Sequence, residues 1–301
     1  MYSQARTLQK PYADSIVHNS ASATVEIRKV SRRPEAAGGL QFSILAGSSA
    51  NRLFSLETTM TKTQIDRLGA RLKKAQFEDA DLRLLDGYRR SFADAYNAVV
   101  LAIRETLLLQ PTGRPSKSTP SIVEKLGRES IRLSQMQDIA GCRVVVSDFS
   151  EQELVVSKLH SHFDTAVVID RRKKPSHGYR AVHIIVTTCE RNVEIQVRTA
   201  LQHRWAEFSE KLADVRDPAF KYGGGEETLR RQLFDISDLV GAIESLEEQL
   251  RDMSRGQIAS APGMMVRIDP VVQEVKDQVD QTRRKLDAIL IKMIDEVKKA
   301  D

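Results

Sequence analysis

Apolar residues recur every three or four positions near the start of the patterned part of the chain, which is typical of amphipathic helices. Ile65, Leu68 and Leu72 share one face of a first predicted helix. The apolar positions between residues 85 and 107 predict a second, longer helix, which a turn containing proline and glycine ends. A third, shorter helix is predicted from about residue 118 to residue 128.

Between residues 138 and 199 the pattern changes to short apolar runs and to strict alternation, both of which predict strands. The predicted strands are 144–146, 166–170, 180–187 and 193–198. A helix at about 150–162 separates the first two strands, and a tight turn near Arg191-Asn192 joins the last two. A further helix begins near Thr199. These elements together predict an α+β fold in which helices flank a mixed sheet.

The chain divides into three predicted regions. Residues 1–59 mix serine, alanine, arginine and glycine without a helical period, so they predict a loosely ordered extension, with translation from Met60 as an alternative start. Residues 60–225 hold the sheet and its helices. Residues 226–301 return to near-heptad apolar spacing, which predicts two helices that pair with each other, cover the core or join subunits. A linker is predicted at 257–263 between them.

Composition excludes several classes of protein. The chain has 301 residues, of which 41% are hydrophobic and 29% charged, as in proteins with a full-sized core. It contains no apolar run near the roughly 20 residues needed to span a membrane. The two cysteines have no metal-ligand spacing and are expected to be reduced, which favours a cytoplasmic location. The net charge of +5 is compatible with anionic partners such as nucleotides or RNA.

Candidate chemistry begins with a strand that has one polar face. Alternation places Glu194, Gln196 and Arg198 on one side of the predicted last strand and valine and isoleucine on the other. A second carboxylate, Asp138, lies just before another strand. Two carboxylates delivered from neighbouring strands suit Mg²⁺, which prefers oxygen ligands and shares them with phosphates. The alternative is that Asp138 caps a turn and Glu194 pairs with a nearby arginine.

Two further segments carry cations and an aromatic side chain. Lys117, Ser121 and Lys125 recur at helical spacing near a helix N-terminus and suit a triphosphate, although a solvated basic face is the alternative. Tyr179 and His183 share one face of the third predicted strand, where a tyrosine can stack on a purine and a histidine can contact phosphate. The alternative reading makes Tyr179 a core aromatic and the basic run at 171–174 a solvated turn.

Taken together, these segments resemble the synthetase domain of the RelA/SpoT family, the makers of (p)ppGpp, over about residues 114–222. The matching motifs occur in the family's order. They are Lys117-x-x-x-Ser121-Ile122-x-x-Lys125, Asp138-Ile139-Ala140-Gly141-Cys142-Arg143, His177-Gly178-Tyr179-Arg180-Ala181-Val182-His183, Glu194-Ile195-Gln196-Val197-Arg198-Thr199 and Gln202-His203-x-Trp205-Ala206-Glu207.

The resemblance implies a nucleotidyltransferase-like fold and transfer of the β,γ-pyrophosphate of ATP to a ribose 3′-hydroxyl, with release of AMP. It implies that Asp138 and Glu194 hold Mg²⁺ and that Glu194 is the base for the attacking hydroxyl. The implied ATP-binding residues, with Arg143 against adenine, are Lys117, Ser121, Lys125, Arg143 and Arg114. The implied residues of the acceptor site, with Tyr179 stacked on guanine, are Tyr179, His183, Gln196, Lys174 and Arg198.

Departures from the family pattern leave the acceptor open. His177 and Ala181 stand where asparagine and serine are common, and Arg114 precedes Lys117 by three residues, where two are usual. GDP and GTP are the expected acceptors. The alternative is a toxin of the same family that pyrophosphorylates the 3′ end of tRNA or an adenine nucleotide, and a further alternative is a non-catalytic nucleotide-binding regulator. The chain has no His-Asp dipeptide, the hydrolase signature of the long enzymes. We therefore expect a small synthetase without hydrolase activity, assembled as a homo-oligomer through its C-terminal helices.

Overall fold

A computed structural model describes residues 60–260 and 270–299. The helices are α1 (Lys62–Lys73), α2 (Asp79–Arg90), α3 (Ala93–Leu107), α4 (Thr119–Arg128), α5 (Phe149–His162), α6 (Ala200–Val215), α7 (Glu227–Ser260) and α8 (Pro270–Lys299). The strands are β1 (Thr112–Arg114), β2 (Ala140–Val146), β3 (Val167–Asp170), β4 (Val182–Thr188) and β5 (Arg191–Thr199). The predicted extension at 1–59 and part of the predicted linker lie outside the described residues.

The strands form one mixed sheet in the order β1-β2-β5-β4-β3. The central strands β2 and β5 run parallel, and every other neighbouring pair is antiparallel. In this register Gly141 lies opposite Glu194, and Gln196 lies between Arg143 on β2 and His183 on β4. The mixed sheet with flanking helices confirms the predicted α+β fold, and it brings the polar residues of three strands side by side.

Alternation along the strands separates the two faces of the sheet as the sequence predicts. One face is buried under α3 and α5, and its residues include Val144, Val182, Ile184, Val193, Ile195 and Val197. Helix residues Ala95, Val99, Ile103, Val155 and Leu159 fill the other side of this core. Glu194, Gln196 and Arg198 therefore point to the opposite face of β5.

Three local predictions are wrong in their boundaries. The helix expected over 85–107 is broken between Arg90 and Ala93, where the Ser91 hydroxyl donates to the Tyr88 carbonyl and competes with the helical pattern. The segment expected to end that helix as a turn instead forms β1 against β2. The hairpin turn lies at Cys189-Glu190, before the predicted position, with φ angles of 47° and 58° typical of a two-residue turn.

The C-terminal helices cover the core. Trp205 and Leu212 of α6 share one buried cluster with Leu233 of α7 and with Leu286 and Leu290 of α8. Helix α7 continues to Ser260 and so takes up the first part of the predicted linker. The boundaries at residues 59/60 and 225/226 remain predictions, but the packing joins the last region to the sheet-bearing part. No described helix is long and apolar enough to cross a membrane.

Truncation of Leu290 should destabilise the whole unit. Its side chain is 0% exposed in the cluster with α6, whereas the neighbouring Ile289 is 54% exposed. Leu290→Ala is expected to lower the free energy of unfolding by about 2–5 kcal/mol, because it removes buried apolar surface and leaves a cavity. Ile289→Ala is the control and should cost far less. Equal small losses in denaturant melts would contradict the shared core.

Candidate functional site

A cavity of about 300 Å³ opens on the polar face of the sheet, where β1, β2 and β5 adjoin. Its wall combines carboxylates, cations and an amide. The lining residues are Thr112, Gly113, Arg114, Lys117, Asp138, Gly141, Cys142, Arg143, Glu194 and Gln196. The two carboxylates that the sequence singles out thus line the same cavity.

Asp138 is held by two lysines at one end of this cavity. Lys117 Nζ lies 3.0 Å from Oδ2 and Lys125 Nζ lies 3.0 Å from Oδ1. Burial alone would raise the pKa of Asp138, but the two ammonium charges outweigh it and hold that pKa below its usual value. Ser118 caps α4, so Lys117 precedes the helix and reaches Asp138 from outside it. Both lysines are therefore engaged in the site, which excludes a solvated basic face.

Glu194 belongs to a closed ring of hydrogen-bonded side chains. His183 Nδ1 lies 2.8 Å from Glu194 Oε1, and Gln196 Nε2 donates to Oε2 at 2.7 Å. His183 Nε2 lies 2.9 Å from the hydroxyl of Tyr179. Arg198 Nη2 completes the ring by donating to that hydroxyl and to Gln196 Oε1, each at 2.9 Å. The carboxylate, the histidine and the tyrosine are thus one connected unit.

The ring keeps Glu194 ionised. Burial favours its neutral form, but the hydrogen bonds and charge of His183, with the amide of Gln196, outweigh burial and hold the pKa of Glu194 below its usual value. The nearby charge of Asp138 acts in the opposite direction. A charged carboxylate with fixed orientation can accept a hydrogen bond or a proton from a bound hydroxyl group.

Arg198 in the ring, and Arg143 and His203 beside it, have no acidic partner within ion-pair distance among the residues that the structure describes. Arg198 is 3% exposed, and its Nε atom, like Arg143 Nε and His203 Nδ1, is buried without a hydrogen-bond partner. Because a buried charge without an opposite charge is costly, an anion such as a phosphate would be favoured beside these side chains.

His203 stays neutral in this surrounding. Burial, together with the charges of Arg143 and Arg198, lowers its pKa from 6.5 to about 4. The sequence places His203 in a matching motif but gives no role to it, because its proximity to the two arginines arises only when α6 turns back over the sheet. The sequence signal that could have indicated a role for His203 is its position between Arg198 and Arg204.

The remaining predicted residues lie at different distances from the cavity. Arg114 lines it, and Tyr179 and His183 join it through the ring. Ser121 accepts a hydrogen bond from Ser118 Oγ at 2.8 Å on the first turn of α4 and is not a lining residue. Lys174 is exposed on the segment after β3 and does not line the cavity either.

The expected solvated turn at 171–174 is only partly correct. Lys173 and Lys174 are exposed, but Arg172 is largely buried. Its guanidinium lies 2.7 Å from both Asp170 and Glu153, so its charge is compensated within the fold. The basic run therefore offers less positive charge to an anionic partner than the sequence suggests.

The donor set fits a magnesium ion that is shared with a substrate. No group of three or more histidine, cysteine or acidic residues that could hold a metal occurs in the part of the chain that the structure describes. Among the described residues that line the cavity, Asp138 and Glu194 are the two with carboxylate oxygens. Mg²⁺ commonly binds through one or two carboxylates, with water and substrate phosphates completing its octahedron. The predicted Mg²⁺ site thus agrees with the chemistry of these two residues.

Residues 113–213 match the model of a family described as a region found in RelA/SpoT proteins. An uncharacterized protein of Mycobacterium tuberculosis is 34% identical over 141 residues, which cover 45% of this chain and 52% of that protein. The chain thus spans about half the length of this relative. YjbM, a GTP pyrophosphokinase of Bacillus subtilis, is 32% identical over 165 residues, which cover 50% of this chain and 73% of YjbM.

Solved structures with a similar chain include small alarmone synthetase 1 from Bacillus subtilis. It has a TM-score of 0.45 and 24% identity, covering 60% of this chain and 100% of the synthetase. The same synthetase bound to its product pppGpp has a TM-score of 0.45 and 24% identity, covering 56% of this chain and 96% of the other.

The lowered pKa of His203 should make stability depend on pH. This histidine has a pKa near 6.5 in the unfolded chain and about 4 in the folded chain. Its contribution to the free energy of unfolding is therefore complete above pH 6.5 and is lost progressively as the pH falls towards 4. His203→Gln should therefore lose less unfolding free energy than the wild type between pH 7 and pH 5. Urea unfolding at both pH values measures this.

The control for this measurement is His160→Gln, which replaces an exposed histidine at the end of α5. It should keep the wild-type dependence of unfolding free energy on pH. An identical pH dependence in His203→Gln and in the wild type would contradict the neutral state of His203.

Proposed function

Because this chain belongs to the RelA/SpoT family, we propose that it is a pyrophosphokinase that makes (p)ppGpp. It transfers the β,γ-pyrophosphate of ATP to the ribose 3′-hydroxyl of GDP or GTP and releases AMP. The relative YjbM, named a GTP pyrophosphokinase, supports this assignment. The observation that supports the proposal is the shared cavity, in which two ionised carboxylates lie close to Lys117 and to Arg143, whose Nε atom is buried without a hydrogen-bond partner.

ATP binds at the lysine end of the cavity. Lys117 and Lys125 now neutralise Asp138, and a triphosphate competes for their ammonium groups because it carries more charge. Ser121 at the start of α4 adds a hydroxyl and the positive end of the helix. Arg143 and Arg114 line the same cavity, and we assign both to the adenine of ATP.

The acceptor binds at the ring end of the cavity. Tyr179 offers its aromatic surface to guanine, and His183 and Gln196 orient the nucleotide beside Glu194. Arg198 and the exposed Lys174 are the cations on this side. Since Arg198 is buried and has no acidic partner in the part of the chain that the structure describes, a phosphate of the acceptor would supply the charge that it lacks.

Transfer proceeds by displacement at the β-phosphorus of ATP. Glu194 takes the proton of the 3′-hydroxyl while the oxygen forms a bond to the β-phosphorus, and the bond from that phosphorus to the AMP oxygen breaks. Asp138 and Glu194 would hold Mg²⁺, which when bound neutralises phosphate charge. The chain contributes positioning through the ring and charge compensation through Lys117 and Lys125.

An acceptor assay tests this function directly. Purified protein with γ-labelled ATP should transfer the label to GDP or GTP and release AMP in equal amount. Parallel reactions contain tRNA or an adenine nucleotide in place of the guanine nucleotide. Label on tRNA alone or on the adenine nucleotide alone would replace the proposed acceptor, and no transfer to any acceptor would favour a non-catalytic regulator.

The variant Glu194→Gln should abolish most of this activity. An amide cannot take the hydroxyl proton, so the rate should fall by roughly 10²–10⁴-fold, the usual contribution of a general base. Nucleotide affinity, measured by calorimetry, should remain close to that of the wild type. Glu190→Gln, on the exposed hairpin turn, is the control. Undiminished turnover in Glu194→Gln would remove Glu194 from the mechanism.

We also propose that two copies of the chain associate through α7. Leu239, Leu246 and Met253 are exposed on this helix at intervals of seven residues, so they form one apolar stripe. A second copy can cover the stripe with the same residues of its own. This arrangement agrees with the oligomer that the sequence predicts.

Leu246→Glu should weaken this association. A charge in the centre of the stripe opposes burial against a like copy, so light scattering should show a shift towards the monomer at equal protein concentration. The control is Leu101→Glu, which changes an exposed leucine of α3 in the same way. A monomeric wild type, or an unchanged mass in Leu246→Glu, would refute the proposal.

A further inference from the structure

Tyr179 lies in a tight turn that contacts α7. In residues 176–180, here called the acceptor segment, Ser176 and Tyr179 exchange backbone hydrogen bonds of 3.0 and 3.2 Å. His177 and Gly178 between them have φ angles of 53° and 84°. Two consecutive residues in this left-handed region need support from their surroundings, because the conformation of His177 costs energy.

Ser237 of α7 fixes the backbone of this turn. Its hydroxyl donates to the carbonyl of Gly178 at 2.7 Å, and its side chain is only 1% exposed. A Cβ atom on Gly178 would lie 2.6 Å from the ring of Trp205, so the turn is pressed against this ring. Trp205 is itself anchored to α7, because its Nε1 donates to the Leu233 carbonyl at 2.8 Å.

Glu244 of α7 fixes the residue on the other side of Tyr179. Arg180 Nε donates to Glu244 Oε2 at 3.0 Å, and Glu244 is 4% exposed. One turn earlier α7 has Gly241, where an added Cβ would lie 2.9 Å from an amino group of Arg180. The glycine therefore leaves room for the guanidinium to lie against the helix.

A buried amide pair extends this support to the strand that carries the catalytic carboxylate. Gln202 Nε2 donates to Glu244 Oε1 at 2.6 Å. Gln152 donates to Gln202 Oε1 and to the Val197 carbonyl, each at 2.8 Å. Val197 precedes Arg198, so the same network that holds Arg180 also fixes the end of β5 beside the ring.

We infer that α7 is part of the acceptor site, with Ser237 and Glu244 as positioning residues that fix Tyr179 for the incoming nucleotide. Both residues lie outside the segment 113–213 that matches the family model, and neither contacts the cavity. They act through Gly178 and Arg180, which flank Tyr179 in the chain. The functional consequence rests on the proposed pyrophosphate transfer, whereas the positioning itself does not.

Two variants, Ser237→Ala and Glu244→Gln, test the inference with two measurements. Hydrogen exchange followed by mass spectrometry reports on residues 176–181 without any substrate, and exchange there should accelerate about tenfold when a buried hydrogen bond is lost. Steady-state kinetics should show an acceptor KM raised about tenfold, with kcat and the KM for ATP within twofold of the wild type. A purely structural role would raise both KM values together.

Matched controls separate positioning from general damage. Asp238→Asn removes a carboxylate from the exposed side of α7 next to Ser237 and should change neither measurement. Ser237→Thr keeps the hydroxyl and should restore wild-type exchange and acceptor KM. Faster exchange throughout β5 would indicate global destabilisation and would count against the inference.

Different results would refute the positioning role of α7 and the proposed pyrophosphate transfer. Unchanged exchange at 176–181 in both variants, or an equal rise in both KM values, would overturn the positioning role of α7. Absence of pyrophosphate transfer by the wild type would instead refute the proposed function, and local exchange alone would then decide whether α7 holds the acceptor segment.

Discussion

The site depends on the parallel pairing of β2 with β5. This pairing sets Gly141 opposite Glu194 and Arg143 opposite Gln196. Asp138, which lies just before β2, is therefore close to the strand that carries the second carboxylate. The strands approach closely at this point, since a Cβ atom on Gly141 would lie 2.8 Å from the Glu194 carbonyl oxygen. A side chain at position 141 would force the strands apart and separate the two acidic groups.

Some charged side chains in and around the cavity have a partner of opposite charge and others do not. This difference indicates where a substrate anion can bind. Asp138 is neutralised by two lysines, and Arg172 and Arg180 are matched by acidic residues of α5 and α7. Among the described residues, Arg198 donates to neutral acceptors, and the Nε atom of Arg143 has no hydrogen-bond partner. The fold therefore compensates the charges of Asp138, Arg172 and Arg180 and leaves Arg143, which lines the cavity, and Arg198, which belongs to the ring, without an acidic partner among the described residues. A substrate anion can supply that missing charge.

Much of the fold and of the site follows from local sequence patterns. The alternation in β5 predicts which residues face the polar side, and the capping serine and proline at the start of α4 place Lys125 within reach of Asp138. Contacts between distant parts of the chain have no such signal. The pairs Ser237–Gly178 and Glu244–Arg180 join residues 59 and 64 positions apart, so they depend on the path of α7. The break at Ser91 also escaped prediction, because the apolar period continues through it.

The ring formed by Glu194, His183, Tyr179, Arg198 and Gln196 has a consequence for how this protein can vary. Each side chain has two neighbours in the ring, so replacing one leaves two others with an unmet hydrogen bond in a largely buried place. The effects of single replacements on the free energy of unfolding will not be additive, because a second replacement costs less once the ring of hydrogen bonds is already broken. A replacement at one of the five positions is therefore best tolerated when its neighbours in the ring change with it.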